Sequence, residues 1–111
     1  MFARADDLSS LKIVDFGFAR ELQEGEKVHE FCGSPGYIPP EMYMKDSYGF
    51  EPDMFSFGVL LFRIISAEEP WPSSPAEETK RLTIHLQYRI KSETWRNVSK
   101  KGKDLIQMFF R

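Results

Sequence analysis

Cysteine and long hydrophobic runs are scarce in this sequence. Cys32 is the only cysteine among 111 residues, so no disulfide can form within the chain, which excludes the disulfide-stabilised secreted domains. The longest apolar stretch, residues 55–65, is far short of the roughly 20 residues that span a bilayer, and it contains Arg63. The first residues lack the apolar run of a secretory signal. We therefore expect an intracellular, cytoplasmic protein without a membrane partner.

An excess of charge of either sign is absent as well. The formal net charge is -2, and the lysines and arginines are spread along the chain, so we expect no nucleic-acid partner. The hydrophobic fraction of 41% and the charged fraction of 29% are typical of globular proteins. The length suits one ordinary core, and we assign residues 1–111 to a single domain.

The first thirty residues contain one strand pattern and one loop pattern. Residues 11–14 form a short, β-branched, alternating run after a polar cluster at residues 6–10, which predicts a short strand ending at Asp15. Residues 20–30 are polar and rich in acidic side chains without a sustained period, which predicts an exposed loop.

Prolines shape the middle of the chain. Pro35, Pro39 and Pro40 restrict φ and remove backbone donors, which predicts a stiff, irregular segment and then one helical turn at residues 41–44. The strongest helix pattern covers residues 53–67. Its apolar side chains surround the axis, so this helix needs neighbours on most sides, and a fragment that lacks some of them is expected to expose contiguous apolar surface and to aggregate readily.

Three motifs follow one another in order: Asp15-Phe16-Gly17, then GSPGYIPPE at residues 33–41, then DMFSFG at residues 53–58. This order resembles the second half of a protein kinase catalytic domain, from its magnesium-binding tripeptide through its activation segment to its central buried helix. The runs DFGFAR at residues 15–20 and CGSPGY are most similar to the calcium/calmodulin-dependent group of serine/threonine kinases, and they argue against a tyrosine kinase.

The resemblance implies a mainly α fold, a kinase-like C-terminal lobe with at most a short β-hairpin. Fourteen residues precede Asp15, so we expect the N-terminal lobe to be missing, with its glycine-rich phosphate loop and strand lysine, together with the catalytic aspartate of the His-Arg-Asp loop. For residues 82–90, strict alternation by itself predicts a strand, whereas the resemblance implies a helix to about residue 84 or 85 and then extended chain towards Trp95.

Two more helices are predicted in the last third. One begins near Ala76, after a proline- and serine-rich loop at residues 70–75, with acidic residues favourably placed against its N-terminal dipole. Ser99 is a suitable N-cap for the other, although Gly102 and the early lysines weaken it. Trp71 and Trp95 are interpreted as packing residues.

The resemblance implies ATP and Mg²⁺ as cofactors. In the kinase family the carboxylate at the Asp15 position holds magnesium on the ATP phosphates, and we assign the nucleotide contact to Asp15, Phe16 and Gly17. By itself such a tripeptide usually marks only a turn after a strand, and one carboxylate rarely fixes Mg²⁺ without further ligands. Phe16 is expected to be exposed or collapsed because its upper-lobe neighbours are missing.

The activation segment is expected to dock a protein substrate through Gly33, Ser34, Pro35 and Tyr37. Ser34 stands where serine/threonine kinases usually carry threonine. Glu30 lies near the position where related kinases carry a phosphorylated threonine, so its charge is able to imitate phosphate in part by pairing with arginine. The alternative interpretation is an ordinary exposed glutamate in an acidic loop.

Glu41 and Asp53 are interpreted as structural anchors. In the family the first pairs with an arginine near the end of the domain, and the second accepts hydrogen bonds from the catalytic loop. Since both partners are expected to be missing, each carboxylate should turn to solvent or find a substitute.

The overall expectation is part of an ATP-dependent serine/threonine protein kinase that is inactive as this isolated chain and carries no catalytic residue of its own. The alternative is a non-catalytic, pseudokinase-like interaction module that docks a partner through residues 76–95. A third reading is an incomplete product of a longer gene. Calmodulin-type regulation is not encoded in these residues.

Overall fold

The computed structural model of this chain describes residues 1–45, 47–71, 75–90 and 93–111. The predicted mainly helical architecture is confirmed, since these residues form four α-helices and one short 3₁₀ turn, Leu8–Ser10, and otherwise contain only isolated β-bridges. No helix within this described part is long and apolar enough to cross a membrane. The helices are α1, Pro40–Met44; α2, Glu51–Ser66; α3, Ala76–Ile84; and α4, Lys100–Phe109.

The predicted strand at residues 11–14 is wrong. Leu11 forms a single antiparallel bridge with Phe2, and the chain then continues without regular structure to the tripeptide. Ile13 is 87% exposed. A strand needs a paired neighbour and a buried face, and the first two residues are too short a partner to provide either.

The long helix α2 begins two residues before the predicted start. Pro52 occupies its first turn, where a missing backbone N–H costs nothing, so the proline does not delay the helix as the sequence pattern suggested. The helix ends at Ser66, and Ala67 adopts a left-handed conformation with φ of 54° while its N–H donates to the Arg63 carbonyl at 2.8 Å.

The apolar surface of α2 divides into a buried face and an exposed face. Phe55, Val59 and Phe62 lie in the core. The opposite side chains remain accessible, which confirms the expectation that contiguous apolar surface is exposed. The exposed residues are Met54, Phe57, Leu60, Ile64 and Ile65.

An aromatic core surrounds α2. Trp71 and Trp95 are almost fully buried, which confirms that they are packing residues. Trp71 stacks on Phe55 with ring centres 5.4 Å apart, and Trp95 lies 4.9 Å from Phe62. Phe110 joins both halves of the cluster, because its ring centre lies 4.9 Å from that of Trp71 and 6.4 Å from that of Phe62.

Both ends of α3 and the start of α4 agree with the predicted positions. Helix α3 starts at Ala76 and stops at Ile84, so helix prevails over the strand pattern of residues 82–90. The Ser99 side chain caps α4 by accepting a hydrogen bond from the Gly102 N–H at 3.1 Å. Parts of two predicted segments, residues 72–74 of the proline-rich loop and residues 91–92 before Trp95, lie outside the described residues.

Candidate functional site

The tripeptide Asp15-Phe16-Gly17 forms a tight, exposed turn. Asp15 adopts a left-handed conformation with φ of 66°, and its Oδ1 accepts a hydrogen bond from the Gly17 N–H at 3.2 Å. A side chain on Gly17 would approach the same oxygen, since its β-carbon would lie 3.2 Å from Oδ1. Phe16 projects outward with 69% of its surface exposed.

The described residues do not form a complete metal site around Asp15. Nowhere among them do three His, Cys, Asp or Glu side chains come together in a way that could hold a metal ion. Protein-bound Mg²⁺ usually keeps several waters and takes one or two carboxylates plus substrate phosphates. Asp15 supplies one such carboxylate, so these residues alone do not fit a stand-alone magnesium site.

The predicted activation segment, residues 33–41, is attached to α2 through Tyr37. The Ser56 hydroxyl lies 2.9 Å from the Tyr37 carbonyl and 2.9 Å from the Pro52 carbonyl, so it is placed to donate to either. Arg63 Nη1 donates to the Tyr37 hydroxyl at 2.7 Å. The segment is therefore held by both the backbone and the side chain of one tyrosine.

Two glycines allow the segment to turn. Gly33 has φ of 128° and Gly36 has φ of 86°, both in a region that side chains rarely allow. Ser34 and Pro35 lie exposed between them, and the Tyr37 N–H closes the turn by donating to the Ser34 carbonyl at 3.1 Å. The structure thus brings the predicted docking residues together in one turn on the surface of α2.

A cavity of about 200 Å³ lies beside this turn and connects it to the chain after the tripeptide. Phe18 reaches this cavity, whereas none of the three tripeptide residues lines it. The predicted magnesium position and the predicted docking turn are therefore separate in this structure. The other lining residues are Cys32, Gly33, Tyr37, Ile38, Pro39, Met42, Tyr48, Pro52, Asp53 and Ser56.

A second set of contacts holds the acidic loop before the docking turn. Val28 pairs with Tyr48 through two backbone hydrogen bonds of 2.8 and 3.0 Å, and Val28 is buried although the rest of the loop is largely exposed. The Tyr48 hydroxyl donates to the Glu30 carbonyl at 2.5 Å. Arg20 lies 2.8 Å from Glu26 and 3.9 Å from Glu30, so an arginine within this chain approaches the predicted phosphate-like carboxylate.

Local hydrogen bonds and burial change the pKa values of Glu26 in this loop and of Tyr48 beside it. A hydrogen bond from the Gln23 N–H, helped by Arg20, lowers the pKa of Glu26 below its ordinary value. Burial raises the pKa of Tyr48, and the neighbouring Cys32 and Glu30 add to this increase. Tyr48 is therefore a neutral hydrogen-bond donor to the loop at physiological pH.

We expect Tyr48→Phe to loosen the acidic loop. The substitution removes the hydrogen bond to the Glu30 carbonyl and keeps the ring, which should cost about 1 kcal/mol of local stability. Hydrogen exchange at the Val28 N–H should then be several-fold faster. Tyr43→Phe is the matched control, because the Tyr43 hydroxyl makes no hydrogen bond to a described residue; equal acceleration in both variants would contradict the assigned role of Tyr48.

The two predicted anchors have different surroundings. Glu41 is half-buried at the N-terminal turn of α1 and lines a cavity of about 430 Å³ that Arg111 also lines. Asp53 is exposed in the first turn of α2. Neither carboxylate forms an ion pair with another side chain in the described ranges.

Sequence reasoning missed Ser56 and Arg63, the two residues that hold the docking turn. They are seven residues apart, which places them on the same side of α2 two turns apart. The available signal was that Ser56 and Arg63 are polar residues on one side of a helix that is apolar over most of its length. Tyr48 left no comparable signal, because its partners Val28 and Glu30 lie on a separate loop.

Comparison with known proteins agrees with these motifs. The sequence matches the family model described as Protein kinase domain over residues 2–111. It is similar to the probable serine/threonine-protein kinase 2 of Plasmodium falciparum, with 38% identity over 108 residues covering 96% of this chain and 21% of the relative. It is 35% identical over 107 residues to the phosphorylase b kinase gamma catalytic chain, liver/testis isoform, of Homo sapiens, covering 91% of this chain and 26% of the relative.

A plant protein kinase is similar to this chain to the same degree. Calcium-dependent protein kinase 25 of Arabidopsis thaliana is 36% identical over 107 residues, which cover 96% of this chain and 20% of the relative. The chain therefore spans about a quarter or less of the length of these curated relatives.

Proposed function

This chain belongs to the protein kinase domain family, and from that premise we propose that it is part of an ATP-dependent kinase that phosphorylates serine or threonine in proteins. The names of its relatives support serine/threonine specificity and a place near the calcium-dependent group. The observation that carries the proposal is the docking turn at residues 33–41, which Ser56 and Arg63 hold on α2 in a form suited to receiving a peptide.

In this proposal the chain contributes peptide docking and one magnesium ligand. The cofactor pair, ATP with Mg²⁺, supplies the phosphoryl group and neutralises its charge when bound. Asp15 would hold the metal, and Phe16 and Gly17 would shape the turn that presents its carboxylate. Phosphoryl transfer depends mainly on positioning and charge stabilisation, so we propose that the isolated 111-residue polypeptide does not catalyse it.

A reconstituted kinase tests this function. The N-terminal half of Arabidopsis calcium-dependent protein kinase 25 would be fused to residues 11–111 of this chain and assayed with labelled ATP, Mg²⁺ and a serine peptide. We expect metal-dependent labelling by the chimera and none by the isolated chain. Asp15→Asn should lower the chimera's rate at least about a hundredfold, because the metal loses its ligand from this chain.

The control for this experiment is Asp104→Asn in the same chimera, which alters a carboxylate that is paired with Lys100 on α4 and should leave the rate unchanged. If the isolated chain labels the peptide and Asp15→Asn abolishes this labelling, the proposed inactivity of the isolated chain is contradicted. A folded chimera without activity would contradict the proposed phosphorylating activity.

A groove beside α3 favours a second candidate function, a non-catalytic module that binds a protein partner. It measures about 990 Å³, and charged side chains such as Glu69, Arg81 and Arg89 line it together with Leu82 and Tyr88. Calorimetry with Mg²⁺-ATP separates the two candidates. Nucleotide binding at millimolar concentration favours the enzyme, whereas its absence combined with capture of a protein through this groove favours the module.

We propose a protein substrate or protein partner in either case, and an intracellular, cytoplasmic location. The single cysteine and the near-neutral charge support this location and argue against a nucleic-acid ligand. Residues 1–111 are taken as one partial kinase domain.

A further inference from the structure

The Arg63 guanidinium lies against the proposed docking turn. Its Nη1 donates to the Tyr37 hydroxyl at 2.7 Å, and its Cζ lies 5.8 Å from the centre of the Tyr37 ring. The same nitrogen lies 3.4 Å from Glu69 Oε1. The cation is thus fixed at the edge of the turn, between an aromatic ring and one carboxylate.

Arg63 keeps hydrogen-bonding capacity for an external ligand. A guanidinium carries five N–H donors in a planar fork, whereas the contacts of Arg63 with described residues use only Nη1. The side chain retains 42% of its accessible surface. Its Nε and Nη2 are therefore able to donate together to a carboxylate that approaches from solvent.

Glu69 is a partner that such a ligand is able to replace. Its side chain is 37% exposed, and an exposed ion pair with an N–O distance of 3.4 Å contributes little to stability. A carboxylate that receives two charge-assisted hydrogen bonds interacts more strongly than this single long contact.

The shape of the site directs a peptide to this cation. The space beneath the turn, between Gly36, Val59 and Trp71, holds only about 10 Å³, which is too small for a side chain. A peptide residue lying over Tyr37 therefore stays at the rim, where Arg63 stands. A lysine or arginine at that position meets a like charge, and an aspartate or glutamate meets an opposite one.

We propose that Arg63 is a specificity-determining residue that selects peptides with an acidic side chain at the position lying over Tyr37. The inference rests on the proposed docking role of residues 33–41 and names the substrate class for that role. It assigns to Arg63 a contact with the peptide and no part in phosphoryl transfer.

Peptide binding to the whole chain tests this assignment. Fluorescent serine peptides would carry Glu, Gln or Lys at one position at a time, with affinities measured by anisotropy. At one position we expect the Glu peptide to bind roughly tenfold more tightly than the Gln peptide, and the Lys peptide to bind most weakly. Arg63→Gln should remove this preference, and salt should weaken it.

Two further variants separate the assignment from a folding defect. Glu69→Gln removes the competing carboxylate and should strengthen the preference for acidic peptides severalfold, a gain that misfolding does not produce. Arg4→Gln is the matched control, because Arg4 is an exposed arginine paired with Asp7 far from the turn in sequence, and it should leave the preference unchanged.

The outcomes distinguish this inference from the proposed function. Equal binding of the Glu and Lys series at every position overturns the role of Arg63 and leaves the docking turn in place. Failure of every peptide to bind overturns both. If the folded Arg63→Gln variant still prefers acidic peptides, another cation causes the preference and the inference is overturned.

Discussion

Replacing Phe62 by alanine will destabilise this chain by about 4 kcal/mol, measured by urea denaturation followed by circular dichroism. Phe62 is completely buried, and its ring contacts those of Tyr88, Trp95 and Phe110 at centre-to-centre distances of 6.1, 4.9 and 6.4 Å. Alanine leaves a cavity among rigid aromatic rings that collapse poorly. Since a domain of this size is stable by about 5–15 kcal/mol, this loss approaches the limit of folding.

Ile64→Ala is the matched control for this prediction. Ile64 lies on the same helix with 69% of its surface exposed, so its truncation should cost less than about 1 kcal/mol. If both substitutions had the same small effect, the aromatic cluster would not be the core of the folded chain.

Introducing valine at Gly58 should cost about 3 kcal/mol, although glycine is ordinarily a poor residue within a helix. A β-carbon at this position would lie 2.4 Å from the Phe109 β-carbon and 3.2 Å from Phe110 Cε1. Helix α4 crosses α2 at this glycine, so any side chain pushes the two helices apart. Even Gly58→Ala should destabilise the chain, which reverses the sign expected from helix propensity.

Leu60→Val is the matched control, because it introduces valine at an exposed position of α2. Leu60 is partly exposed and does not face α4, so this variant should stay within about 1 kcal/mol of the original chain. Thermal or urea denaturation of the three variants side by side gives the comparison. A stabilising effect of Gly58→Ala would show that α4 does not approach α2 as closely as described.

The helices were accessible to sequence reasoning because their signals are local. Proline positions, the Ser99 cap and the acidic first turn of α3 all act within a few residues of the structure they determine. The start of α2 differed by two residues for a local reason too, since Pro52 fits inside a first helical turn.

The strand at residues 11–14 failed because a strand depends on a distant partner. Alternation and β-branching describe a segment that is able to pair, and they do not supply the neighbour with which it pairs. Within the described part of this chain, the segment pairs with the backbone around Phe2, which provides one bridge.

The motifs and their order determined by themselves which family this chain belongs to, and they located the predicted docking segment, because motif spacing is a property of the chain alone. Tertiary structure alone decided how that segment is held. Ser56, Arg63 and Tyr48 acquire their roles only when α2 and the loop before it come within hydrogen-bond distance of Tyr37 and Glu30. Hydrogen bonds between residues 18 to 26 positions apart depend on the folded path of the chain, which no local pattern records.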